Sequence, residues 1–186
     1  PYVPPHPWNL DFPHLMLRAK AVHYRQHGAR FRDRLLTSTD RLGRLATIPV
    51  VVQAVNKANT TPVARKAMAR VLGVAAEPRL PPYDAKRFRK TVGRAISWPV
   101  KNGERTPGKV AIFATCYVNY NEPGIGHDLV RVLAHNEIPY RIAEQEACCG
   151  MPKLELGDFE SVERLKEINI PALAALARDG HAILTP

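Results

Sequence analysis

The sequence predicts an α/β protein in which a helical N-terminal segment is followed by a β-α-β-α-β parallel-sheet domain rich in cysteine at its loops, and incomplete as a unit. Three observations carry this expectation. Apolar residues across positions 1–73 recur at helical spacing, Lys109 marks a change to short continuous apolar runs, and those runs then alternate with helical stretches. Continuous apolar runs suit strands buried on both faces, which is the situation of a parallel sheet covered by helices.

The elements follow in order. Residues 12–26 place Phe12, Leu15, Met16, Ala19, Val22 and His23 on one helical stripe with Arg18, Lys20 and Arg25 off it, and Gly28 is a natural stop. Residues 31–45 restart as one helix on Phe31, Leu35, Leu42 and Leu45, with Arg32, Arg34, Arg41 and Arg44 interspersed. Pro49 breaks that pattern, and residues 48–59 read as a further helical piece. Thr60 and Thr61 supply capping hydroxyls and Pro62 a first-turn proline for a helix ending near Gly73. Positions 1–73 therefore read as a basic helical segment. Positions 74–108 contain Pro78, Pro81, Pro82, Pro99 and Pro107 without long apolar periodicity, and read as a Pro-rich linker or extended arm.

Positions 109–186 carry the sheet. Val110-Ala111-Ile112-Phe113-Ala114 is a buried strand, and residues 124–136 follow as a helix on Leu129, Val130, Val132 and Leu133. Ile138-Pro139-Tyr140-Arg141-Ile142-Ala143 is a second strand. Residues 158–178 form a helix on Phe159, Val162, Leu165 and Ile168, continuing through Leu173 and Leu176 past a kink expected at Pro171. Gly180 ends it, and Ala182-Ile183-Leu184 is the third strand. Strands in this rhythm pair in parallel through right-handed crossovers.

Composition narrows the function classes. A chain of 186 residues, 45% apolar and 24% charged, has the make-up of one or two packed domains and not of a disordered or fibrous chain. No apolar run reaches the roughly 18 residues of a membrane-spanning helix; positions 45–55 come nearest and contain Pro49 and Gln53. Three cysteines, two of them adjacent, do not make a disulfide framework and point to a reducing, cytoplasmic compartment. The net charge of +10 is one-sided: positions 1–107 hold 20 Lys or Arg against 6 Asp or Glu, a net +14, and positions 108–186 hold 7 against 11, a net −4. Such a basic front suits an acidic protein, anionic headgroups or nucleic acid. No repeat at a period of 20–50 residues suggests a solenoid. The opening Pro-Tyr-Val-Pro-Pro-His-Pro lacks a start methionine and a signal pattern, so the sequence reads as a piece of a longer protein.

Loops at the carboxyl ends of parallel strands are where such sheets bind ligands, and all three cysteines fall there. Cys116 follows the first strand and Cys148 and Cys149 follow the second, so one rim would gather thiols 31 or more residues apart in sequence. Thiolates select zinc, iron–sulfur clusters or Cu(I), and adjacent cysteines suit a cluster with several metal atoms. Spacing alone leaves open that these are buried thiols acting as small hydrophobes.

The stretch Cys116-Tyr117-Val118-Asn119-Tyr120-Asn121-Glu122-Pro123, then Cys148-Cys149-Gly150-Met151-Pro152, then Gly157-Asp158-Phe159-Glu160 resembles one copy of the CCG cysteine-rich domain. That domain occurs in heterodisulfide reductase, in the iron–sulfur subunit of glycolate oxidase and in anaerobic glycerol-3-phosphate dehydrogenase, and the pattern looks most like the last. The resemblance covers positions 109–186 and, more loosely, the helical front. It implies that Cys116, Cys148 and Cys149 are cofactor-binding and metal ligands of an iron–sulfur cluster of the [4Fe-4S] type in the full-length protein. The protein would then be an electron-transfer component of an oxidoreductase, not a stand-alone catalyst. It would relay electrons between a flavoprotein dehydrogenase subunit and a quinone or disulfide acceptor. A cytoplasmic location follows, with a peripheral, quinone-linked contact on the inner face of the cell membrane. A cubane wants about four thiolates and this sequence holds three, so further ligands are expected after Pro186, and the piece alone is expected to hold no stable cluster. Pro1 could end an upstream ferredoxin-type Cys-Pro motif.

Other motifs are weaker. Gly124-Ile125-Gly126-His127 lacks the third glycine and the acidic residue of a dinucleotide site and reads as a turn. His127 and His181 could complete a structural Cys/His zinc site, which defines an alternative reading as a basic helical binding module for nucleic acid or an acidic surface. His23 and His27 stand one helical turn apart without a carboxylate companion. Lys86-Arg87-Phe88-Arg89-Lys90 reads as a solvated charge run ranked below partner docking, and nucleic acid is disfavoured because aromatics are sparse. Glu144, Glu146 and Glu155 lie near the cysteine loops as candidate acid–base groups. A thiol oxidoreductase using Cys148 or Cys149 lacks its Cys-x-x-Cys.

Overall fold

The computed structural model describes residues 11–93, 95–100, 108–144 and 147–186. Its front is helical. α1 (Phe12–His27) starts where the Asp11 carboxylate accepts the His14 N–H at 3.2 Å and stops at Gly28. The helix expected over 31–45 is two, α2 (Phe31–Leu36) and α3 (Thr39–Ala46). The hydroxyls of Thr37 and Ser38 donate back to the carbonyls of Asp33 and Arg34 at 2.7 and 2.6 Å, competing with the helical ladder and ending α2. α4 (Val51–Thr60) and α5 (Pro62–Leu72) follow, the second with proline in its first turn as its sequence requires.

The stretch read as a linker is fastened at both sides. Arg65 of α5, itself buried, donates to the carbonyls of Ala75, Ala76 and Pro78, and Asn56 of α4 makes a reciprocal pair with the backbone of Tyr83 at 2.8 Å. Beyond these ties come α6 (Phe88–Thr91) and a short strand, β1 (Ala95–Ile96). β2 (Val110–Ile112), α7 (Cys116–Tyr120), α8 (Pro123–His135), β3 (Tyr140–Ile142), α9 (Met151–Leu156), α10 (Phe159–Arg178) and β4 (Ala182–Leu184) complete the chain. α10 runs through Pro171 without a break.

The sheet order is β1-β3-β2-β4. β2 is central and parallel to β3 and β4, with Val110 opposite Tyr140 and Ala182, which is the β-α-β-α-β unit the sequence predicts. β1 adds an antiparallel edge along β3. The protein is thus a mixed α/β fold with helices at its N-terminus. Val110, Ile112, Ala114, Val118, Leu133, Tyr140 and Ile142 form the core together with Phe88, which has no exposed surface. The expected solvated run at 86–90 therefore carries a core residue. The four glycine-rich residues at 124–127 are not a turn but lie in the first turns of α8, where a Cβ on Gly126 would stand 2.6 Å from the Phe88 ring.

Candidate functional site

Cys116 opens α7 just past β2, and Cys148 and Cys149 end the loop after β3, so all three thiols occupy the carboxyl rim of the parallel strands. They meet there. The Cys148 thiol lies beside those of both Cys116 and Cys149. Its two neighbours pull the Cys148 pKa below the ordinary thiol range, against the effect of burial, while the shared proximity and burial push Cys116 and Cys149 up. Removing a proton from the group is thus easiest at Cys148. Cys148 is buried, Cys116 half-buried and Cys149 exposed.

Residues far away in sequence hold this loop. Thr39 Oγ1 stands 3.3 Å from the Cys148 sulfur, and the Gly150 N–H reaches the same sulfur at 3.5 Å. Gly150 has φ +87°, a conformation that leads from the thiols into α9 and that other residues rarely adopt. The Cys148 N–H donates to the Asp40 carboxylate at 2.7 Å. Burial raises the Asp40 pKa most, that hydrogen bond lowers it, and the Cys148 thiolate raises it again. From α10, Asn169 accepts the Ala147 N–H at 2.8 Å and donates to the Cys148 carbonyl at 3.1 Å, which explains a buried polar residue inside a helix.

A cavity of about 240 Å³ borders Cys116 and Cys148, and Arg44, Arg87, Arg89 and Lys90 line it against a single carboxylate, Asp40. Arg87 donates to Thr47 Oγ1 at 2.7 Å and to the Arg44 carbonyl at 2.9 Å. Arg89 donates to the carbonyls of Ala143 and Glu144. These bonds, to a hydroxyl and to carbonyl oxygens, fix the two guanidinium groups at the cavity wall.

The remaining candidates are placed elsewhere. His181 precedes β4 and so lies at the opposite rim, near Asp179 and Lys109. His127 is bonded through Nε2 to Thr91 Oγ1 at 2.9 Å and packs edge-on against Phe88. Neither histidine of the alternative Cys/His zinc grouping is placed with the thiols by these contacts, and among the described residues no three His, Cys, Asp or Glu side chains converge to hold a single metal ion. His23 and His27 stack, with His27 Nδ1 at the His23 carbonyl. Glu155 pairs with Lys20 at 2.7 Å, Glu144 stands 3.9 Å from Arg141, and Glu146 lies outside the described residues, as does Pro1. Thr39, Asp40, Asn169, Arg87 and Arg89 are the site neighbours that sequence reasoning missed. Among them only the helix-start position of Thr39 and Asp40 carries a local signal, and that signal says nothing of cysteine.

A parallel sheet with its thiols gathered on the carboxyl rim defines a cysteine-rich α/β domain. Residues 110–186 match the CCG family, described as "Cysteine-rich domain". The chain is similar to a subunit of the anaerobic glycerol-3-phosphate dehydrogenase of Escherichia coli K12, at 26% identity over 144 residues, 76% of this chain and 34% of that protein. It is also similar to a subunit of the fumarate reductase (CoM/CoB) of Methanothermobacter marburgensis, at 31% identity over 101 residues, 50% of this chain and 21% of that protein. An uncharacterized iron-sulfur protein of Methanocaldococcus jannaschii is 31% identical over 62 residues, 33% of this chain and 13% of that protein. The chain thus matches at most about a third of the length of these relatives. No solved structure matches it.

Proposed function

We propose that Cys116, Cys148 and Cys149 are ligands of an iron–sulfur cluster of the [4Fe-4S] type in the whole protein, completed by a ligand from outside this chain. On this reading the chain is part of an electron-transfer subunit, standing between a flavoprotein dehydrogenase subunit and a quinone or disulfide acceptor. One observation carries it: three thiols gathered on one rim of the parallel strands, beside a cavity lined by four cations and one carboxylate. The donor set fits a thiolate-ligated, negatively charged group, and adjacent cysteines suit a group of several metal atoms.

Such a cluster supplies one-electron chemistry when bound. The chain's own residues do the rest. Cys148 presents its sulfur to the cavity wall, Thr39 and Gly150 contact that sulfur, and Asp40 and Asn169 hold its backbone. Donors and cations beside ligand sulfurs favour the more negative, reduced state and raise the potential. Positions 1–73 act as a basic docking segment joined through 74–108 to the cysteine-rich domain at 109–186, and the +14 front meets an acidic partner subunit or the headgroups on the inner face of the membrane. Among the described residues no helix is long and apolar enough to cross a membrane.

Anaerobic reconstitution of the full-length protein tests the reading. Iron, sulfide and a broad visible absorption are expected, with the cluster attributed to these ligands lost in Cys148→Ala and Cys149→Ala. Stoichiometric zinc without iron, or an unchanged cluster complement in both variants, overturns it.

A further inference from the structure

Cys148 also borders a second, larger cleft on the side of the site away from the sheet. It measures about 570 Å³ and lies between α1 to α3 and the α9–α10 pair. We propose that this cleft binds a small molecule carrying two or more anionic groups, phosphate or carboxylate, against the Cys148 wall. The inference takes from the proposed function only that Cys148 belongs to a redox centre. The site itself stands on charge and shape.

Five cations line the cleft, Arg34, Arg41, Arg44, Lys153 and Arg164, against two carboxylates, Asp40 and Asp158. Both carboxylates are engaged within the fold. Asp40 accepts the Cys148 N–H, and Asp158 caps α10 by accepting the Ser161 N–H at 3.1 Å and lies 3.9 Å from Lys153. Two of the cations are engaged as well: Lys153 donates to Thr37 Oγ1 at 3.0 Å, and Arg164 is held by Glu160 and Ser161 at 2.8 and 2.9 Å. Arg34, Arg41 and Arg44 are different. Among the described residues none of the three makes an ion pair or donates a side-chain hydrogen bond, yet they sit together on the α2–α3 wall of one cleft. Converging guanidinium groups repel one another, and an anion with several oxygens relieves that repulsion while using their paired N–H geometry.

The cleft's size decides for a small molecule. Its volume lies within the several hundred cubic ångströms typical of small-ligand sites, and its walls come from five helices and the loops between them, with hydroxyls of Tyr24, Thr39 and Ser161 among the lining groups. A single aromatic, Tyr24, gives no stacking platform for nucleic acid bases.

Calorimetric titration of the full-length protein with pyrophosphate and with citrate, at physiological ionic strength, tests the proposal. The two probes separate phosphate from carboxylate recognition. One saturable site is expected for at least one probe, weakened by about tenfold or more in Arg34→Gln/Arg41→Gln, the scale of one lost charge-assisted hydrogen bond. Arg44→Gln, a single change at an exposed position, is expected to weaken it in the same direction. Lys57→Gln/Lys66→Gln removes the same charge from exposed positions on α4 and α5 and is expected to change affinity less than about twofold. No saturation by either probe, or equal losses in the two double variants, overturns the proposal. Both forms, with and without cluster, are titrated. Binding without iron sustains the cleft even where the iron reading fails, and a loaded cluster with no anion binding breaks the cleft inference alone.

Discussion

The two halves of the molecule are built by different means. The sheet half owns the hydrophobic core, whose fully buried members are Phe88, Ile112 and Val118. Among the described residues, the helical front buries only Ala21, Ala46 and Val52 of its larger-than-glycine apolar side chains, and leaves Phe31, Val50 and Val63 each more than three-quarters exposed. Its two most deeply buried side chains are polar, Thr47 and Arg65. Its ties to the sheet half include Thr37, Thr39, Asp40 and Lys20, of which Thr39 and Asp40 reach the cysteine loop itself. The contrast teaches that the front is supported by the sheet half and in return shapes the environment of Cys148. Disturbing one half should therefore be felt in the other to unequal degrees.

The largest effect is expected at Phe88. Truncating a fully buried phenylalanine costs about 3–5 kcal/mol, and Phe88→Ala should lower the urea midpoint of sheet and front together if the front leans on that core. A front that melts at its original midpoint, read from proteolysis of α4 and α5, breaks the dependence. Gly126→Ala attacks the same contact from the other side. Its Cβ would meet the Phe88 ring at 2.6 Å, and overpacking of this kind costs about 1–3 kcal/mol.

The next effect belongs to the clamp on the cysteine loop. Asn169→Ala leaves the Ala147 N–H and the Cys148 carbonyl without their partner, at a cost of about 1–3 kcal/mol for buried unsatisfied groups. Asp40→Ala removes the acceptor for the Cys148 N–H, whereas Asp40→Asn keeps one in place. Urea unfolding should rank Asp40→Asn closest to the parent and the two alanine variants below it. An equal ranking of Asp40→Ala and Asp40→Asn would show that the front does not hold the loop through this bond.

Those clamps mark where the sequence stops being legible. The parallel unit could be read because Val110 to Ala114 and Ala182 to Leu184 are continuous apolar runs between helical stretches, and burial dictates that pattern directly. Placing the thiols on one rim followed from strand direction alone. The break between α2 and α3 could not be read, because the apolar spacing of Phe31, Leu35, Leu42 and Leu45 fits one helix as well as two and two back-bonding hydroxyls decide between them. α6 is too short to have a period, and Phe88 sits among four cations that mask its burial. Thr39 meets Cys148 across 109 positions, and Asn169 meets it across 21, with no local residue pattern to announce either contact.

A smaller effect separates the rims of the sheet. Burial foremost, then the nearby Lys109, holds the His181 pKa below its ordinary value of 6.5. A histidine depressed in the folded state binds fewer protons there than when unfolded, so stability rises with pH through the window below that value and is lost as pH falls through the folded pKa. His181→Gln should flatten the rise of the urea midpoint in the window just below pH 6.5. The cluster content should stay unchanged, since His181 stands at the rim away from the thiols. A loss of bound metal in this variant would return the histidine to the site.

The smallest effect tests the outermost tie between the halves. Lys20 of α1 and Glu155 of α9 pair at 2.7 Å, with 43% and 56% of their side chains exposed. Exposed pairs contribute about 0–1 kcal/mol and weaken with salt, so Lys20→Glu alone should lower the midpoint slightly, and more at low ionic strength than at high. The exchange Lys20→Glu/Glu155→Lys should restore it, because the two positions face each other whichever carries the charge. α1 also meets α9 through backbone: a Cβ on Gly157 would stand 2.7 Å from the Lys20 carbonyl oxygen. If the single charge reversal costs as much as Asn169→Ala, the front is held by its surface charges and the clamp at the cysteine loop is secondary. If the reversal costs little and the exchange recovers it, the order of the ties stands: core first, cysteine loop second, surface pair last.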